Sequence, residues 1–112
     1  MTVRDLAKEL DLEILTGDIN MDRKITSGYV SDLLSDVIAN IDDDAVWITI
    51  QRHVNILGVA KLKDVSAIVI PRKLGLEEAF IAKAKEEEIA ILRGDRSAFE
   101  LSGIIYNALS RG

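Results

Sequence analysis

The 112 residues carry a net charge of −5, with 19 Asp and Glu against 14 Lys and Arg, and 48% are hydrophobic. That length suits one domain, residues 1–112, with a core of its own, while the acidic balance argues against a general nucleic-acid binder or a protein docked on anionic membranes. The absence of cysteine excludes disulfides, cysteine-held zinc, a thiolate nucleophile and an iron–sulfur cluster on the chain's own thiolates.

Thr2 is placed to cap a first helix, since Val3, Leu6, Ala7 and Leu10 recur at helical spacing. Asp5 falls in its first turn, where negative charge suits the helix dipole. Leu12–Leu15 reads as a short strand and Asp18–Lys24 as a polar loop. Ile25–Val30 is extended, with Ser27-Gly28 as a tight join towards a helix that Ser31 caps. That helix runs to Ile41 and turns Leu34, Val37, Ile38 and Ile41 inward. Ala45–Ile50 (AVWITI) is a continuous β-branched and aromatic run, the pattern of a strand buried on both faces.

His53–Lys63 reads two ways: VNILGVAKL alternates weakly as a strand, while Ile56, Val59, Ala60 and Lys63 keep helical spacing, and the helix is favoured because parallel strands need a crossover. Ser66–Ile70 is the next strand, followed by a helix over Leu76–Glu88 with Leu76, Ala79, Phe80 and Ala84 inward. Ile89–Leu92 is a short strand, and Ser97-Ala98-Phe99-Glu100 has the form of a capping box opening a last helix to Leu109. The alternation predicts an α/β fold, a mostly parallel sheet of about four to five strands with helices on both faces.

Such sheets place ligands beyond the carboxyl ends of their strands. Those ends carry Gln51, Arg52 and His53, then Arg72, then Arg96 and Ser97. They form a candidate rim for a small anion, with Gly28 as a further wall; the plain alternative is that these are solvated loop residues. Asp32 and Asp36 lie one helical turn apart and can be read as a cation grip or as ordinary first-turn carboxylates. No metal or cofactor is expected. The chain has no G-x-x-x-x-G-K-[ST] loop, no G-x-G-x-x-G and no G-x-S-x-G elbow, and lone His53 has no acidic partner at a catalytic spacing, so no enzyme is expected. Phe99, Gly103 and Tyr106 offer an apolar, small-residue strip on the last helix, suited either to packing against a second copy or to completing the core.

The segments ITSGYVSDLLSDVIAN, DAVWITIQRHVNILGVAKLKDVSAIVI and SAFELSGIIYNAL resemble the DRTGG domain family, from about Leu12 to Leu109. A more distant likeness is to the amino-terminal domain of HPr kinase/phosphorylase, whose catalytic P-loop lies in another domain. The resemblance implies a regulatory and dimerising module of the kind found inside phosphotransacetylases and beside CBS domains in regulated pyrophosphatases. It further implies an adenine nucleotide or phosphorylated metabolite as ligand and a protein partner in a metabolic or redox system. It supplies no catalytic residues. Where many members show a Thr-Gly-Gly-like turn, this chain has Thr26-Ser27-Gly28. No basic-then-apolar leader opens the sequence and no apolar run reaches the ~18 residues of a membrane span, so a cytoplasmic protein is expected.

Overall fold

A computed structural model describes residues 1–111; Gly112, the last residue of the expected domain, lies outside them. Helix α1 (Val3–Leu10) starts at a full capping box. Thr2 Oγ accepts from the Asp5 N–H and the Asp5 carboxylate accepts from the Thr2 N–H. Asp5 therefore closes the helix start as well as complementing its dipole. Strand β1 (Glu13–Ile14) follows, then an irregular stretch leading to β2 (Ser27–Val30).

From there strand and helix alternate: α2 (Leu34–Asn40), β3 (Ala45–Ile48), α3 (Asn55–Leu62), β4 (Ala67–Ile70), α4 (Glu78–Glu86), β5 (Ile91–Arg93) and α5 (Ala98–Arg111). The sheet order is β1-β5-β4-β3-β2, parallel except for the antiparallel β1–β5 pair. Strands β2 to β5 are thus laid down side by side in chain order. Crossovers of one hand then put α2, α3 and α4 on the same face, around Trp47, Ile68, Ile70 and Ile91. The opposite face would be bare without α1 and α5, which cover Val46, Ile48, Ala67, Val69 and Leu92.

Strands β3 and β4 are buried at every residue, which explains why AVWITI and SAIVI read as continuous apolar runs. The two-residue β1 and the four-residue β2 form the edges.

Four local expectations change. Ser31 does not cap α2: its Oγ accepts from the Leu33 N–H in a tight turn, and the helix begins at Leu34 behind Leu33 without a side-chain cap. Ile38 lies at the edge of the inner face, 40% exposed, while Val37 and Ile41 carry the contact. Gly28 is also not in a turn; it lies inside β2, opposite Val46. In α4, Phe80 and Ala84 point inward as expected, whereas Ala79 faces solvent. No helix among the described residues is long and apolar enough to cross a membrane.

Candidate functional site

The order of the parallel strands has a consequence for the rim at their carboxyl ends. A crevice opens in an open α/β sheet where neighbouring strands send their crossovers in opposite directions. Here the crossovers after β2, β3 and β4 all run to one face, whereas the chain leaving β5 turns to α5 on the other, so the exits part between β4 and β5. Backbone bonds bridge the loops there, and the rim loops pack against one another. After β3, the Arg52 guanidinium donates to the Gly75 carbonyl at 2.9 Å and to the Ile50 carbonyl at 3.3 Å. The Gln51 amide donates to the Asp32 carbonyl, and the Asn55 N–H donates to His53 Nδ1 at 3.2 Å, shaping the entry to α3.

After β4, Arg72 and Lys73 both occupy the left-handed region, at φ 55° and 50°. Two successive non-glycine residues there are a strained arrangement. Backbone bonds hold it: the Arg72 N–H donates to the Arg96 carbonyl at 2.8 Å, and the Lys73 N–H to the Gly94 carbonyl at 2.7 Å. The structure therefore brings Arg52, Arg72 and Arg96 onto three interlocked loops. It keeps Gly28 away from them, on β2 beside α5. Ser97 is engaged as the α5 cap, its Oγ accepting from the Glu100 N–H and donating to the Glu100 carboxylate.

Ion pairing sorts the arginines into two groups. Arg4 pairs with Asp22, Arg23 with Asp44 and Asp64, Arg93 with Glu13, and Arg111 with Glu9. Among the described residues Arg52, Arg72 and Arg96 have no carboxylate partner. All three sit at the strand carboxyl ends, so the unpaired arginines among the described residues are gathered there.

The Asp32/Asp36 pair is divided between two structural roles. The Asp32 carboxylate accepts from the Thr49 hydroxyl at 2.8 Å and the Ile50 N–H at 2.9 Å, tying the end of β2 to that of β3. The Asp36 carboxylate accepts from the Tyr29 hydroxyl and the Asn40 amide, each at 2.9 Å. Among the described residues no cluster of three or more His, Asp or Glu forms a metal cage.

These contacts set a pH dependence. The Ser31 hydroxyl, then the Tyr29 hydroxyl and the Asn40 amide, hold Asp36 below the usual carboxylate range. Arg93 does the same for Glu13, and the Thr2 backbone N–H for Asp5. Folded-state values lowered relative to the unfolded chain stabilise above the unfolded carboxylate pKa, and that contribution vanishes as pH falls through the folded values. The urea midpoint should therefore fall between about pH 5 and pH 2. Tyr29 runs the other way: its hydrogen bond to Asp36 raises its pKa, so its contribution is lost as pH climbs through the raised value. Circular dichroism titrations in urea would show both limbs.

The other candidate surface lies on α5. Phe99 is 88% exposed and Tyr106 75% exposed, with Gly103 between them. They do not complete the core; Leu101, Ile105 and Ala108 on the opposite side do that. Between α5 and β2 is a hollow of about 150 Å³, lined among others by Gly28, Val30, Ile48, Ser102 and Tyr106. Val30, 51% exposed, was not anticipated in this surface. The signal was present in the sequence: residues 25–31 contain no charge at all.

No protein-family model matches the chain, and no curated protein matches it either. Among solved structures it is similar to the CBS and DRTGG domains of the regulatory region of Clostridium perfringens pyrophosphatase, crystallised with the activator diadenosine tetraphosphate. The TM-score is 0.69 at 14% identity, over 93% of this chain and 45% of the other. The chain thus spans under half the length of that protein. The likeness is one of fold, and the fold is DRTGG-like.

Proposed function

We propose that the chain is a non-catalytic regulatory module, one DRTGG-like domain acting as a homodimer through α5, with Phe99, Gly103 and Tyr106 in the contact. The observation that carries this reading is the exposure of Phe99 and Tyr106 on a helix whose only charged residues are Glu100 and Arg111. Large aromatic side chains surrounded by uncharged surface mark the centre of interfaces. The similar pyrophosphatase region is itself regulatory, which supports the same role. Sedimentation velocity over a concentration series tests it: a dimer dissociating on dilution is expected, and a monomer at the highest concentrations contradicts it.

A second reading rests on the three unpaired arginines. In it, Arg52, Arg72 and Arg96, with Gln51, His53 and Ser97 beside them, receive the phosphates of an adenine nucleotide, and the module acts as a sensor for a metabolic or redox partner protein. Arg is suited to the task because its fork of donors matches phosphate oxygens. ATP or diadenosine tetraphosphate at 100 times its Kd should then stabilise the protein by about 2.7 kcal/mol. Thermal unfolding would show this gain, and the combined substitution Arg52→Ala, Arg72→Ala and Arg96→Ala should abolish it. No shift with either nucleotide contradicts this reading.

A further inference from the structure

We propose that a second copy of the chain completes the sheet at β2. The two β2 strands pair antiparallel about a two-fold axis at Gly28, joining the five strands of each copy into one sheet. This deepens the dimer reading and rests on it. The two edges of the sheet differ in how they are protected. Strand β1 is two residues long and carries Glu13, forked by Arg93. Strand β2 is longer, and residues 25–31 hold no charge and no proline. Edges left so bare invite another strand.

The register follows from the backbone. The Thr26 N–H donates to the Asp44 carbonyl, so by alternation Gly28 and Val30 also direct their backbone groups to β3. Ser27 and Tyr29 then point theirs to the open edge. Beyond them the Ser31 carbonyl already accepts from the Trp47 indole. Only one antiparallel register satisfies both outward residues: Ser27 of each copy opposite Tyr29 of the other. That sets Gly28 against Gly28 as a non-hydrogen-bonded pair, with Cα atoms about 4.5 Å apart.

The α5 face agrees with this register. Val46 and Ile48 of β3 are buried, whereas their β2 neighbours Gly28 and Val30 are exposed. Helix α5 lies alongside β2 but leaves the hollow beside Tyr106 between them. A glycine on the axis puts no side chain between the two α5 helices. Gly103 has nothing of its own chain within 4 Å of a Cβ position, which gives a second helix room to approach. The two-fold axis sets the helices antiparallel, the Glu100 end of one towards the Arg111 end of the other, and these opposite charges are the only ones on the helix.

The test uses the absence of cysteine. In Gly28→Cys the new Cβ meets only Val46, at an ordinary 3.5 Å, and the paired Cα distance lies within disulfide range. Mild oxidation should convert most of this variant to a covalent dimer. Ser27→Cys, which faces Tyr29 and not itself, should stay unlinked. Hydrogen exchange on the unmodified chain needs no substitution: the Ser27 and Tyr29 amides should exchange at least about tenfold more slowly in the dimer than after dilution. A wild-type dimer in which those amides are unprotected and folded Gly28→Cys does not cross-link overturns the pairing while sparing the dimer. A wild-type monomer overturns both, leaving the edge to an extended segment of another protein.

Discussion

Replacing Phe99 and Tyr106 together by glutamate should weaken self-association by more than about a thousandfold while leaving the fold intact. Each aromatic is nearly free of its own chain, so its loss removes no core contact. In the dimer each would be desolvated, and interface aromatics of that kind cost about 2 kcal/mol or more on truncation. With two such side chains from each copy, four losses per dimer amount to well over a factor of roughly 10³ in Kd, and four carboxylates brought together across the two-fold axis add repulsion. Light scattering should report a monomer where the unmodified protein is a dimer, with an unchanged circular dichroism spectrum. An equally strong dimer in the double variant would remove α5 from the interface.

The second large effect concerns Trp47. Its ring is fully buried between β3 and the α2–α3 layer, and its Nε1 donates to the Ser31 carbonyl at 2.9 Å. Trp47→Ala empties the largest buried side chain and should cost about 3–5 kcal/mol. Domains of this size hold only about 5–15 kcal/mol, so the urea midpoint should fall steeply. Circular dichroism must follow the transition, since Trp47 is the single tryptophan. Trp47→Phe keeps most of the ring but frees the Ser31 carbonyl, and should cost about 1 kcal/mol for the hydrogen bond beyond its packing loss. Because Ser31 ends the edge strand, the loss should loosen β2 before the sheet centre. Faster amide exchange at Val30 than at Thr49, whose N–H donates to the Val69 carbonyl on the β4 side, would show it.

Much of the fold was legible because its determinants are local. Thr2 with Asp5 and Ser97 with Glu100 announce their helices by spacing alone, and both boxes close as hydrogen-bonded pairs. AVWITI and SAIVI are uniformly apolar because both faces of β3 and β4 are covered. Where the reading failed, a distant partner decided the outcome. Asp32 looks like a first-turn helix acid, yet Thr49 and the Ile50 N–H claim it from the next strand and delay the start of α2. Ile38 keeps a core spacing but stands at the edge of the face that Val37 and Ile41 bury.

The candidate sites divide the same way. That Arg52, Arg72 and Arg96 share one end of the sheet follows from strand–loop alternation. That they alone among the arginines lack a carboxylate partner depends on pairs such as Arg93–Glu13, 80 residues apart. The hollow between β2 and α5 exists because the chain has a glycine at 28 and α5 runs alongside that edge strand without filling the space above it, and only the second of these requires the structure.

Native mass spectrometry of the purified protein bears most directly on the regulatory dimer, since it reports subunit number and any retained small molecule together. The expected spectrum is dominated by a species of two 12.4 kDa chains, returning to one chain in the Phe99→Glu, Tyr106→Glu variant. A spectrum of single chains at every concentration would contradict the account.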